Sequence, residues 1–197
     1  MTKEKIKILV VPANEGGCSY YRAIMPFQKL EEHCGDEVEI RTNKNPLNWD
    51  TSSNTAGEIH EDVEWSDIVM TQNISNFGPD FMIELFKKAK ELGSFIHYDT
   101  DDLLTEIYPG HRLFEVYRDR HLSELTQNLY YNADLVTVTQ SKFANRIEEY
   151  VRGTLAVIKN AIDFDLPCWN LPKTYRTSKK QICKIGWVGG IHHEQDV

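Results

Sequence analysis

Ile6-Lys7-Ile8-Leu9-Val10-Val11-Pro12-Ala13-Asn14-Glu15-Gly16-Gly17 is a near-continuous β-branched and aliphatic run that stops at a proline and closes on a glycine pair. A strand buried on both faces needs apolar side chains at successive positions, and the residues after it are turn formers. The segment therefore predicts a central parallel strand followed by a tight turn. Outward from it, Ser19 is placed to cap a helix whose apolar positions Ala23, Ile24, Phe27 and Leu30 recur at helical spacing, with Pro26 expected to kink or restart it.

The same alternation continues along the chain. Residues 37–42 predict a second strand, and residues 43–55, rich in Asn, Ser and Thr, a long surface loop of the kind that is often functional. Residues 66–71 predict a strand. Pro79 starts a helix with Phe81, Leu85, Phe86, Ala89 and Leu92 on one face, and Gly93 stops it. Residues 95–98 predict a strand running into Asp99-Thr100-Asp101-Asp102, and residues 114–132 a long helix. Residues 134–139 form a further strand, Ser141 caps a helix through Phe143, Ile147 and Val151, and residues 155–158 form the last strand of the series. Strand and helix in strict alternation imply an α/β fold: a Rossmann-like, doubly wound, mostly parallel sheet with helices on both faces. Its ligands bind at the strand C-terminal ends.

Composition narrows the function classes. The chain has 197 residues, 41% of them hydrophobic, which is enough for a full buried core and excludes disordered or collagen-like chains. It has no apolar run of about 18 residues and no signal-peptide core, so a cytoplasmic, soluble protein is expected. The four cysteines, Cys18, Cys34, Cys168 and Cys183, form no C-x-x-C pair and read as reduced thiols rather than disulfides or a zinc site. A net charge of -8 argues against general attraction to nucleic acid or anionic membrane and favours small-molecule chemistry.

Several residues stand where that chemistry would occur. Gly16 and Gly17 let the backbone turn and approach a ligand closely, although they form neither G-x-G-x-x-G nor a P-loop. Arg22, beside Tyr21 in the first helical turns, is placed to hold a phosphate. Asp99, Asp101 and Asp102 crowd carboxylates at a strand end, where they serve either as base and hydroxyl-binding groups or as a metal-binding D-x-D; a helix cap with solvated neighbours is the plainer alternative. His97 lies on the face of Asp99, two residues earlier. His111 follows Pro109-Gly110 on a loop, and His192-His193 lack a third metal ligand nearby.

Residues 166–180 are prolyl, polar and basic and read as an interdomain linker after an N-terminal domain of residues 1–165. Residues 181–197 read as the first strand and Gly-rich loop of a second, truncated domain, with an extra edge strand on the first sheet as the alternative.

Taken together, Gly16-Gly17, Tyr21-Arg22 with Pro26 and Leu30, Val136-Thr137-Val138-Thr139-Gln140-Ser141, and Val157-Ile158-Lys159-Asn160-Ala161-Ile162-Asp163 resemble GT-B glycosyltransferases of the family-four type. The last phrase is similar to V-I-P-N-G-V-D, with Lys159 and Ala161 in place of Pro and Gly, and Ile185-Gly186-Trp187-Val188-Gly189-Gly190 resembles the opening of such an enzyme's donor-side domain. The resemblance implies hexosyl transfer from a nucleotide-diphosphate sugar to an acceptor hydroxyl, with no cofactor and no essential magnesium or other metal. Gly16, Gly17, Arg22, Gly189 and Gly190 would serve the donor phosphates, and Tyr21 and His111 the acceptor. Asp99, Asp101, Asp102 or His97 would serve catalysis. It also implies that donor-binding residues of a missing C-terminal domain lie beyond Val197, so that this chain alone is inactive. Two rival readings are a non-catalytic Rossmann-like binding module and a metal-dependent α/β phosphotransferase.

Overall fold

The computed structural model describes residues 4–111 and 113–167. Its sheet has six parallel strands: β1 (Ile6–Val11), β2 (Val38–Thr42), β3 (Ile68–Gln72), β4 (Phe95–Thr100), β5 (Leu135–Val138) and β6 (Thr154–Val157), in the order β2-β1-β3-β4-β5-β6. The fold class read from the alternation is the one observed. The crossover helices are α1 (Gly17–Ser19), α2 (Met25–Cys34), α3 (Glu61–Trp65), α4 (Pro79–Glu91), α5 (Phe114–Asp119), α6 (Leu122–Asn132) and α7 (Ser141–Ile147). A π-helical turn, Tyr20–Ile24, joins α1 to α2. The sheet and these helices belong to one compact unit ending at Ala161. A second unit begins at Ile162, and its described residues 162–167 carry a turn in which the Asp165 amide donates to the Asp163 side chain.

Strand β1 shows why the sheet is central. Leu9 and Val11 pack into one core with Val69, Phe81, Leu85 and Ile96, while Ile8 and Val10 pack into another with Ala23, Val38 and Met70. Successive side chains point to opposite faces, so an unbroken apolar run feeds both. The larger core is closed by α4, whose Phe81, Met82, Leu85, Phe86 and Ala89 are buried. Each of the four larger side chains contributes roughly 1.5–3 kcal/mol on burial. Gly93, at φ +82°, takes the left-handed conformation that stops the helix.

The structure departs from the sequence reading in particular places. Ser19 does not cap a helix: Gly16 is the N-cap, and Ser19 is fully buried inside the first turn. Ser141 is likewise the first residue of α7, not its cap. The helix expected over residues 114–132 is two helices, broken at His121, whose φ of +50° is left-handed. The loop over residues 43–55 carries Leu47 and Trp49 into the core. It is tied down by paired Asp50 and Thr55 backbones and by the Gly57 amide donating to the Leu47 carbonyl. Polar composition hid these two anchors, and the short helix α3 that follows was too brief for its periodicity to show. Residues 168–197, with all but the first two residues of the expected linker and with the expected second-domain strand, lie outside the described residues.

Candidate functional site

The strand order reverses at β1. The connection after β1 runs outward to β2, and the connection after β2 returns across β1 to β3. The connections that leave the C-terminal ends of β1 and β3 therefore run in opposite directions, the switch point at which open α/β sheets bind ligands. The turn after β1 borders it. The Gly16 amide donates to Asn14 Oδ1 at 2.6 Å, and a Cβ on Gly16 would sit 2.8 Å from that same oxygen, so a side chain there would displace the Asn14 carboxamide. Nothing lies within 4 Å of where a Gly17 Cβ would stand. Packing thus accounts for Gly16 and leaves Gly17 unaccounted for. After this turn, the Ser19 hydroxyl donates to Gln72 Oε1 at 2.7 Å, joining α1 to the end of β3.

Arg22 occupies the π turn and is 7% exposed. Its Nε donates to Asp99 Oδ2 at 3.0 Å, and its Nη2 to Asp99 Oδ1. Its Nη1 donates to the Ile158 carbonyl at 2.5 Å and to Asn160 Oδ1 at 3.2 Å. One guanidinium thereby ties the first helix to β4 and to the chain leaving β6. Asp99 lies within β4, which runs past the expected residues 95–98 to Thr100. It is 2% exposed and also accepts from Thr137 Oγ1, its register partner on β5, at 2.6 Å. Burial raises the Asp99 carboxyl above its ordinary value, with the Arg22 and Thr137 bonds opposing.

His97 shares this face of β4, as the two-residue spacing predicts, and its Nε2 lies 2.8 Å from Thr137 Oγ1. Burial first, then the Arg22 charge, pushes its imidazole from 6.5 down to about 4. The fold holds His97 neutral while the unfolded chain protonates it at the ordinary value. The unfolded state therefore binds more protons between about 6.5 and about 4, and this contribution to stability is lost as the pH falls through that window. Urea unfolding at about pH 7 and about pH 5 checks it: wild type is expected to lose more stability over this interval than His97→Gln. Equal losses would show that His97 is not held neutral by the fold.

Asp101 and Asp102 lie just past β4, the strand next to β3. Asp101 is half-buried, and its Oδ1 accepts from Asn73 Nδ2 at 2.6 Å. Asn73 has φ +47° and donates its amide to the Asp99 carbonyl at 2.8 Å, so the ends of β3 and β4 are locked together. Partial burial, then the charges of Asp101 and Asp102 and a hydrogen bond to Asp101, raises the Cys18 thiol. The carboxylates thus lie close to the first turn of α1. Tyr21 is 40% exposed and stacks edge-on with Tyr20. His111 is bonded within its own turn, its Nδ1 accepting from the Leu113 amide at 3.1 Å and its ring against Tyr108. Gly189 and Gly190 lie outside the described residues.

The fold thus gathers Gly16, Gly17, Arg22, His97, Asp99 and Asp101 at one sheet edge. Sequence reading missed Thr137, Gln72 and Asn73 as members of this group. Thr137 was legible only once β5 was paired in register with β4, while Gln72 and Asn73 carried no local signal beyond their place at a strand end. Among the described residues, no group of three or more His, Cys, Asp or Glu side chains is placed to hold a metal ion. No described helix is long and apolar enough to cross a membrane. No protein-family model matches the chain, and no curated protein matches it.

Proposed function

We propose that the sheet unit is the acceptor-side half of a GT-B-type glycosyltransferase, transferring a hexosyl group from a nucleotide-diphosphate sugar to an acceptor hydroxyl. The observation that carries this reading is the switch point between β1 and β3, where Cys18, next in sequence to Gly17, lies within reach of the Asp101 and Asp102 carboxylates. A glycine without a packing reason beside a half-buried carboxylate suits a phosphate-bearing donor approached by an acceptor hydroxyl.

In this reading the roles divide by burial. Asp101, held by Asn73, and the exposed Asp102 orient and deprotonate the acceptor hydroxyl. Gly16 and Gly17 border the donor diphosphate, with Tyr21 and His111 as outer acceptor contacts. Arg22 and Asp99 are paired with each other and form a rigid floor; they act by preorganisation, with His97 bracing Thr137. Neither magnesium nor an organic cofactor has a step in this scheme.

The test follows the amide signals of Gly16 and Gly17 while nucleotide-diphosphate sugars such as UDP-glucose and GDP-mannose are added, together with transfer assays on the protein as its gene encodes it. The 197-residue chain is expected to bind weakly and to release no nucleoside diphosphate. Gly16 and Gly17 signals unmoved by every nucleotide sugar would refute the reading. Magnesium-dependent phosphoryl transfer would replace it with phosphotransferase chemistry.

A further inference from the structure

The end of the sheet opposite the switch point carries two cavities that the transferase reading does not use. Asp134 and Gly153 directly precede β5 and β6, so the cavity of about 280 Å³ that they line with Lys90, Tyr131, Asn132 and Arg152 lies at strand N-terminal ends. A second cavity, of about 170 Å³, lies between α4 and α6 on Ile83, Phe86 and Leu129. Lys90 and Asn132 line both, and Lys90 Nζ donates to Asn132 Oδ1 at 3.4 Å. The two cavities are therefore neighbours that share a wall.

Their sizes and linings differ. The cavity between α4 and α6 falls below the range of about 300–1,000 Å³ typical of small-molecule sites, so it suits a single side chain and not a whole ligand. Phe86 and Leu129 belong to the larger core, whereas Ile83 is 46% exposed and leaves its apolar surface open. A lone exposed isoleucine needs no explanation, but this one borders a cavity whose described charged residues, Lys87 and Lys90, are both cations. Lys87 is answered by Glu84 at 3.6 Å.

The neighbouring cavity is polar. Arg152 Nη1 donates to the Tyr131 hydroxyl at 3.4 Å, and its guanidinium stands 5.7 Å from the centroid of that ring, which holds the charged head in place. The acid in the wall, Asp134, has its Oδ2 engaged by the Ile96 amide at 2.8 Å. Acidic residues outnumber basic ones in this chain, 30 against 22, yet among the described residues neither Lys90 nor Arg152 forms an ion pair. Two cations left without a carboxylate at one cavity answer to an anion from outside the chain.

The shared wall decides what carries that anion. A free phosphate would use the polar cavity and leave the apolar one unfilled. A nucleic acid has no aliphatic anchor, and it would meet the repulsion of a chain of net charge -8 along its whole backbone. A peptide with a large apolar residue close to carboxylates fits both cavities at once.

We propose that the paired cavities dock an acidic peptide segment of another protein, seating one large apolar side chain between α4 and α6 and its neighbouring carboxylates on Lys90 and Arg152. Selection of a random phage-displayed peptide library on the immobilised 197-residue chain tests this, with the double variant Lys90→Glu, Arg152→Glu as the counter-selection. Enriched peptides are expected to combine a Leu, Ile, Met or Phe with nearby Asp or Glu. They are expected to bind wild type about tenfold or more tighter than the double variant, and less tightly as salt is added. Ile83→Ser, at an exposed helical position, is expected to weaken them about fivefold or more by removing the open apolar surface. Should the double variant lose its far-UV circular dichroism, Ile83→Ser and Lys90→Gln singly read the same loss. No common pattern among the enriched peptides, a pattern lacking acids or lacking the apolar residue, or undiminished binding to the variants overturns the proposal. So does tighter binding of inorganic phosphate or oligothymidylate. The Gly16 and Gly17 signals that test the transferase reading belong to the other end of the sheet, so either idea fails without the other.

Discussion

Arg22→Met is expected to lose about 3–5 kcal/mol of folding stability at neutral pH, the cost of removing one partner from a buried ion pair. Methionine keeps the apolar stem of the side chain but none of its donors. Asp99, 2% exposed, would be left with Thr137 as its remaining side-chain partner, and the Ile158 carbonyl and Asn160 amide oxygen would lose theirs. A domain of this size has about 5–15 kcal/mol in total, so the variant would be marginal.

The sign of the pH response distinguishes this cause from simple loss of packing. With Arg22 gone, the Asp99 carboxyl rises further, because desolvation already raises it and the opposing cation is absent. A folded-state pKa above the unfolded one means that the folded state binds the extra proton. The deficit of Arg22→Met is therefore largest at neutral pH and shrinks as the solution is acidified toward the ordinary carboxylate range. Arg22→Met combined with Asp99→Leu is expected to recover most of the loss, since an apolar pair in place of a buried ion pair is often neutral or better. Urea unfolding of the single and double variants measures both effects. A single-variant loss below about 1 kcal/mol would mean that the pair is hydrated in solution.

This ion pair also shows what a sequence can disclose. The sheet was legible because its signal is local: an unbroken apolar run such as Ile8-Leu9-Val10-Val11 can be satisfied only by burial on both faces. Arg22, His97 and Asp99 were legible as polar residues at strand-proximal positions, and their grouping followed from the topology. Their pairing was not legible. It joins residues 77 apart, and it depends on the π turn that sets Arg22 over β4. Nothing in a string of residues distinguishes a phosphate-binding arginine from one whose three guanidinium nitrogens all donate into its own fold. The same limit hid Trp49 in a loop that composition marks as solvated, and His121, whose left-handed backbone divides a pattern that is periodic on both sides of it.

In the protein as its gene encodes it, Gly17→Leu and Asp101→Asn are each expected to lower kcat/KM for sugar transfer by about 10²-fold or more while leaving the fold unchanged. The first substitution separates catalysis from stability because the space around Gly17 is empty: its Cβ would meet nothing within 4 Å, and its φ is not left-handed. Leucine also suits a helical position better than glycine by roughly 1 kcal/mol. Any loss of activity must then come from a side chain standing where a ligand passes. Asp101→Asn makes the complementary change, since an asparagine oxygen can still accept from Asn73 Nδ2 and hold the junction of β3 and β4. What it loses is the charge and basicity needed to take the acceptor's proton, a contribution of about 10²–10⁴. Asp119→Asn, at an exposed position where Asp119 pairs with the neighbouring Arg118, supplies the control and is expected to transfer at the wild-type rate. Comparing kcat with KM assigns each effect: a blocked donor edge raises KM and lowers kcat, whereas a lost base lowers kcat alone. Wild-type rates in both Gly17→Leu and Asp101→Asn would remove the switch point between β1 and β3 from the chemistry altogether.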